Sequence, residues 1–284
     1  MTGAAEVRTR TGVRPAVRAS RAAFSVYSVA IYVFLYAPIA VLILFSFNAA
    51  TQTAVWSGFT LRWYLELAAD EAVWRAGWMS AKVAVATTVT ATALGTGAAI
   101  GLRRAPPLVR RLATPLLLLP IILPEIVMAV ALLRIFGASG ITLDFWTIWF
   151  AHVVFCVSYD VIVVQARLAG MDDALEEAAA DLGATRWVAF WKVTLPQLWP
   201  AVLSSSLLVL TLSIDDYVVT SFVSGVGNTT LPLQIYAMFR KHITPEINAI
   251  CTLLLVATTG MILVAAVLQR SLQQPRSPRK GGPR

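Results

Sequence analysis

The chain has 284 residues, of which 58% are hydrophobic and 13% charged, with a net charge of +8 and a mean hydropathy of +0.72. A soluble domain carries about 25% charged residues, so this composition excludes a water-soluble globular protein and places the apolar surface in lipid. The positive charge gathers at the chain ends and in particular loops, which argues against a nucleic-acid-binding face.

Residues 1–23 carry Arg8, Arg10, Arg14, Arg18 and Arg21 against one acid and read as a disordered basic arm. The apolar run 24–47 is 24 residues long. That exceeds the about 7–15 residues of a signal-peptide core, so an uncleaved first transmembrane helix is predicted. Segment 48–77 is more polar and holds Trp56, Trp63 and Trp74, the signature of an amphipathic piece at the membrane interface. A second span is predicted over 78–101, rich in Ala, Thr and Gly, residues that let helices approach closely. The third, 112–137, is interrupted by Pro115, Pro120 and Pro124. The fourth covers 146–168, the fifth 200–224 and the sixth 247–269. Cys156 and Cys251 lie inside apolar runs without a partner motif, so neither a disulfide framework nor a metal site is expected.

The resulting plan is an all-α integral membrane protein: a basic arm (1–23), a six-helix domain (24–269) and a basic tail (270–284). With the N-terminus in the cytoplasm, 17 of the 23 Lys and Arg residues fall on inside segments. The excess of basic residues inside predicts an N-in, C-in topology. It also puts the loop 170–199, between spans four and five, on the cytoplasmic side.

That loop is out of character. Five of the fifteen acidic residues of the chain lie within 172–181. Asp172 or Asp173 can cap a helix whose first turns hold Glu176 and Glu177, where negative charge suits the helix dipole. Gly183 can supply a left-handed C-cap, Thr185 can start a second helix, and Pro196 is expected to stop it. Ala178 to Ala180 form a small-residue patch that another surface can approach. An interfacial loop resting on headgroups is one possibility, but the cytoplasmic leaflet is negative and would repel it. A protein partner with a basic groove fits the acidity better.

Here the residues carry a resemblance. Glu177-Ala178-Ala179, three residues, Gly183, nine residues, Val193, one residue and Leu195-Pro196 are similar to the EAA loop of ABC importer permeases. The resemblance implies a type I importer permease bundle. Its coupling helix, built around Glu176, Glu177, Ala178, Ala179, Gly183, Leu195 and Pro196, would dock on a separate ABC ATPase dimer. No G-x-x-x-x-G-K-[ST] run occurs in the sequence, so no cofactor is expected in this chain, and ATP and Mg would bind the partner. Further stretches resemble the second permease of spermidine/putrescine importers: SIDDYVVTSFVSG at 213–225, TTLPLQIY at 229–236, TPEINA at 244–249, GFTLRWY at 58–64 and LPEIV at 123–127. Met79-Ser80 and Ser158-Tyr159 depart from that pattern, which has Asn-Ser and Pro-Tyr there. The resemblance implies a multi-pass protein of a bacterial inner membrane, no enzymatic activity of its own, a homologous second permease and an extracytoplasmic polyamine-binding protein.

Four acids fall within predicted spans: Glu125, Asp160, Asp215 and Asp216. Each costs on the order of 2.5–3.5 kcal/mol at mid-bilayer on insertion scales. They should therefore face an aqueous path, pair with a base, or both. A linear polycation needs anionic stepping stones and gains from aromatic faces, so Asp215, Asp216, Asp160 and Glu125 with Tyr159 and Tyr217 are the candidate substrate path. Alternatively, Arg134 or His152 neutralises an acid structurally, and Glu125 answers a backbone donor freed at Pro124. On one continuous helix Asp215 and Asp216 would stand about 100° apart, so both could not face a narrow pore squarely. The competing function is an ion-coupled secondary transporter whose acids relay protons; the same architecture serving another solute is a third.

Overall fold

A computed structural model describes residues 15–51, 55–172, 174–241 and 244–273. Twelve α-helices follow in order: α1 Pro15–Phe45, α2 Arg62–Ala69, α3 Glu71–Arg104, α4 Pro107–Ile122, α5 Glu125–Ala138 and α6 Phe145–Ala169, then α7 Ala174–Asp181, α8 Arg186–Ala189, α9 Leu195–Asp215, α10 Val218–Val223, α11 Leu231–Lys241 and α12 Pro245–Gln273. A π turn, Phe190–Thr194, joins α8 to α9. Among the described residues the only extended pairing is a single bridge between Asn48 and Phe59.

Helices α3, α6 and α9 make the central three-helix core, with α4, α5 and α10 on one flank and α1, α2, α11 and α12 on another. Small residues set the core spacing. Gly95 of α3 lies against Asp160 of α6 so closely that a Cβ there would stand 2.6 Å from the carboxylate. Ala84, Ala91 and Ala99 on the same helix are fully buried. Helix α3 begins earlier than the predicted span, because Asp70 accepts from the Ala72 and Val73 amides and caps it. Helix α6 starts from a capping box between Asp144 and Thr147.

Three predicted elements differ. The last part of the predicted disordered arm is helical, since α1 reaches back to Pro15; residues 1–14 lie outside the described set, as do 274–284 of the tail. The third span is two helices, α4 and α5, bent by 104°. Pro124 lacks an N–H and forces Leu123 into an extended conformation (ψ 138), so the helix cannot continue. The fifth span ends at Asp215; Asp216 is extended (ψ 122) and the chain turns into α10.

Trp63 packs into the protein interior. Its indole donates to the Asn48 carbonyl at 2.8 Å, and it is buried with Leu67 against Ala249 and Ile250 of α12. Trp56 and Trp74 remain exposed. Among the described residues, five helical segments are long and apolar enough to cross a membrane, and six if the bent α4–α5 pair counts as one span.

Candidate functional site

The acidic loop folds as a helix, a turn and a second helix. Asp172 accepts from the Ala174 amide at 2.9 Å, opening α7, while Asp173 lies outside the described residues. Gly183 adopts φ +82. Its amide donates to Ala180 and the Ala184 amide to Ala179, the paired bonds that close a helix on a left-handed residue. The Thr185 hydroxyl then accepts from the Val188 amide and caps α8.

Pro196 does not stop that second helix. Residues 186–215 form one continuous helical run. In the π turn Leu195 donates to Phe190, five residues back. Widening the helix there accommodates a proline that has no donor and whose ring would crowd a carbonyl one regular turn behind it. The loop is thereby fused to α9.

Glu176 anchors this assembly inward. One carboxylate oxygen accepts from the Thr194 hydroxyl at 2.6 Å and the other pairs with Arg104 at 3.0 Å. Arg103 lies 3.7 Å away. The Thr194 hydrogen bond above all, then Arg104 and Arg103, hold its carboxyl below the ordinary range against the opposing effect of burial. Glu177 and Ala178 are exposed, Ala179 is half-buried, and Leu195 and Pro196 open α9. The residues missed from sequence are apolar: Leu182 is 90% and Trp187 69% exposed, with Leu175 and Trp191 also uncovered. Trp187 and Trp191 stack edge-on at 5.6 Å. Their i, i+4 spacing beside the acidic helix was the available signal. A groove of about 510 Å³ on the same loop is lined by Arg104, Glu176, Glu177, Ala180, Ala184, Arg186 and Ala189.

At the far end of α9, a cavity of about 270 Å³ brings together Glu125, Tyr159, Asp215, Asp216 and Tyr217, with Phe155, Thr211, Leu212 and Val218. Five of the six candidate path residues therefore share one space. Glu125 stands on the first turn of α5, at the break between the two helices that make up the predicted third span. Asp215 and Asp216 are separated by the end of α9, so the two do not fan out from one helix.

Their partners differ too. Asp216 accepts from the Val219 and Thr220 amides and from the Thr220 hydroxyl, and it meets His152 Nε2 at 3.2 Å. Since the single Thr220 hydroxyl proton goes to Asp216, His152 Nε2 is the donor toward both groups, leaving Nδ1 for Ser213 Oγ at 2.8 Å. Asp216 thus caps α10 and is matched by a fully buried imidazole. Asp215 is exposed where it lines the same cavity and, among the described residues, makes no ion pair. Beside it Tyr217 packs on Tyr236 at 4.5 Å, and Arg240 lies over the Tyr236 ring. Arg134 is exposed and pairs with no acid among the described residues.

Asp160 is elsewhere. It is fully buried in the α3–α6–α9 core, accepting from Thr96 at 3.1 Å, and does not line the cavity. Of the two dipeptides that depart from the family pattern, Ser158, which stands in place of Pro, donates to the Leu117 carbonyl, while Ser80, which keeps the pattern's Ser beside the departing Met79, accepts from the Leu231 amide.

Residues 91–274 match the family described as "Binding-protein-dependent transport system inner membrane component". The putrescine transport system permease protein PotI of Escherichia coli (strain K12) is 38% identical over 253 residues, covering 86% of this chain and 90% of that protein. The spermidine/putrescine transport system permease protein PotC of the same strain is 38% identical over 244 residues, covering 86% and 92%. In fold, the chain is similar to a solved chain of a bacterial ABC transporter that imports alginate, with a TM-score of 0.71 over 92% of this chain and 100% of that one, at 15% identity. The protein thus belongs to the family of inner membrane components of binding-protein-dependent transport systems, and is a permease subunit of the ABC importer type.

Proposed function

We propose that this chain carries polyamines inward as one permease of an ATP-driven importer. The observation that carries the proposal is the cavity uniting Asp215 and Glu125 with Tyr159 and Tyr217. A diammonium substrate needs separated carboxylates, and its methylene chain and charged ends both gain from aromatic faces. The similarity to PotI and PotC points to the same cargo class.

The work would come from outside the chain. An ATPase dimer holding ATP and Mg engages the exposed side of α7 and α8, where Glu177, Ala178, Leu182 and Trp187 lie. A homologous second permease completes the path, and an extracytoplasmic polyamine-binding protein delivers cargo. Residues 1–23 and 270–284 flank the 24–269 domain on the cytoplasmic side, N-in and C-in. The 30-residue helical run 186–215 is roughly 45 Å long at helical rise. It links the docking loop to Asp215, so a push at the loop reaches the cargo cavity along one strut.

Asp215→Asn removes the charge and keeps the shape. Polyamine uptake by the assembled importer should fall at least about tenfold, the scale of one charge-assisted contact, with complex assembly unchanged. Asp216→Asn should instead lower the yield of folded protein, because one carboxylate accepts from the Val219 and Thr220 amides, the Thr220 hydroxyl and His152 together, and an amide with a single acceptor oxygen cannot replace it. Undiminished uptake in Asp215→Asn would remove that carboxylate from the path.

A further inference from the structure

The ends of α3, α4 and α6 nearest the acidic loop enclose a cavity of about 560 Å³, apart from both sites above. Arg103 and Arg110 line it from two helices, Thr114 and Gln165 add a hydroxyl and an amide, and Leu102 and Leu168 form an apolar wall. From this lining we infer that the cavity holds the phosphodiester headgroup of an anionic phospholipid from the cytoplasmic leaflet.

Charge is the first support. Residues 103–111 contain four arginines and no acid. Glu176 is shared between Arg103 and Arg104. Arg110 makes no ion pair among the described residues. Guanidinium groups bind phosphate oxygens in bidentate fashion, and basic pockets between helices on the cytoplasmic side suit anionic headgroups.

Position is the second. The Arg103 and Arg104 contacts to Glu176 set this end of the bundle beside the docking loop. On the opposite face of α4, Leu108, Leu112 and Leu116 are 67–69% exposed, an apolar flank along which the acyl chains of a seated lipid can lie. A polar mouth over an apolar wall matches a headgroup joined to its glycerol better than a free anion. The inference does not depend on which cargo is carried.

The test uses the assembled complex in nanodiscs of equal parts phosphatidylglycerol and phosphatidylcholine, followed by partial delipidation and native mass spectrometry. Wild type should retain phosphatidylglycerol in preference to phosphatidylcholine. Arg110→Gln should lower that preference about fivefold, the effect of one basic residue at an anionic surface, while Arg110→Lys keeps most of it. Arg111→Gln, outside the lining, should leave it intact, and millimolar inorganic phosphate should not displace the lipid. Equal losses for Arg110→Gln and Arg111→Gln would reduce the effect to unspecific surface charge and overturn the proposal. Displacement by inorganic phosphate would identify a free-anion site and overturn it as well. Absence of any preference in the complex would mean that no headgroup sits there.

Discussion

Gly95→Ala should destabilise the folded protein strongly. The added Cβ would stand 2.6 Å from Asp160 Oδ2, 2.7 Å from its Cβ and 3.0 Å from its Cγ. None of these atoms can withdraw, because Asp160 has 0% exposure and its Cβ is fixed by α6. The α3–α6 pair must move apart instead, opening the most extensive helix contact in the molecule. Overpacking of this kind costs about 1–3 kcal/mol. Fluorescence-detected size exclusion should show little monodisperse protein for Gly95→Ala, and a melting transition well below wild type in what remains. Adding Asp160→Gly should recover much of the yield by removing every clashing atom, less about 1 kcal/mol for a glycine inside a helix. A Gly95→Ala protein that melts with wild type would disprove the close α3–α6 approach.

Glu176→Ala should leave the membrane core intact and disconnect the loop from it. One side chain, 25% exposed, ties α7 to α3 through Arg104 and to the π turn through Thr194. Hydrogen bonds to a charged group contribute about 1.5–3 kcal/mol, and losing them frees α7 to move without moving α9. Uptake should drop at least about tenfold while ATP hydrolysis continues, and hydrogen exchange over 174–194 should quicken. Glu176→Gln should be intermediate, keeping the Thr194 bond but not the ion pair. The folded carboxyl lies below its ordinary range, so its stabilising contribution is complete above the unfolded value and fades only as pH falls through the lowered one. Loop protection should therefore be flat through neutrality and weaken in acid. Uptake that stays tightly linked to hydrolysis in Glu176→Ala would show that another contact carries the force.

The sequence made much of this legible where the signal is local. Hydropathy located the spans, and the local signals from Asp172 to Thr185 located the helix–turn–helix of the acidic loop. Gly183 was expected to be left-handed and is. What escaped depended on partners far along the chain. Glu176 groups by sequence with the residues expected to face the ATPase, and its inward pairing is hidden because Arg104 lies 72 residues away. Asp215 and Asp216 read as neighbours on one helix, since nothing nearby announces the break. It is supported by Thr220 on the far side and by His152 in another helix. Pro196 read as a stop because a π turn has no simple sequence mark. Asp160 resembled the other intramembrane acids by position alone, and only its packing against Gly95 and Thr96 sets it apart.

The direct test is uptake of radiolabelled putrescine and spermidine into proteoliposomes. This chain would be reconstituted with a homologous second permease, the ATPase and the polyamine-binding protein. Accumulation should require both ATP on the ATPase side and binding protein on the other, should be competed by either polyamine and not by unrelated solutes, and should be absent when an ion gradient is the only energy source. Accumulation by the purified chain alone, driven by a proton or sodium gradient, would contradict an ATP-driven importer and make the intramembrane acids an ion relay.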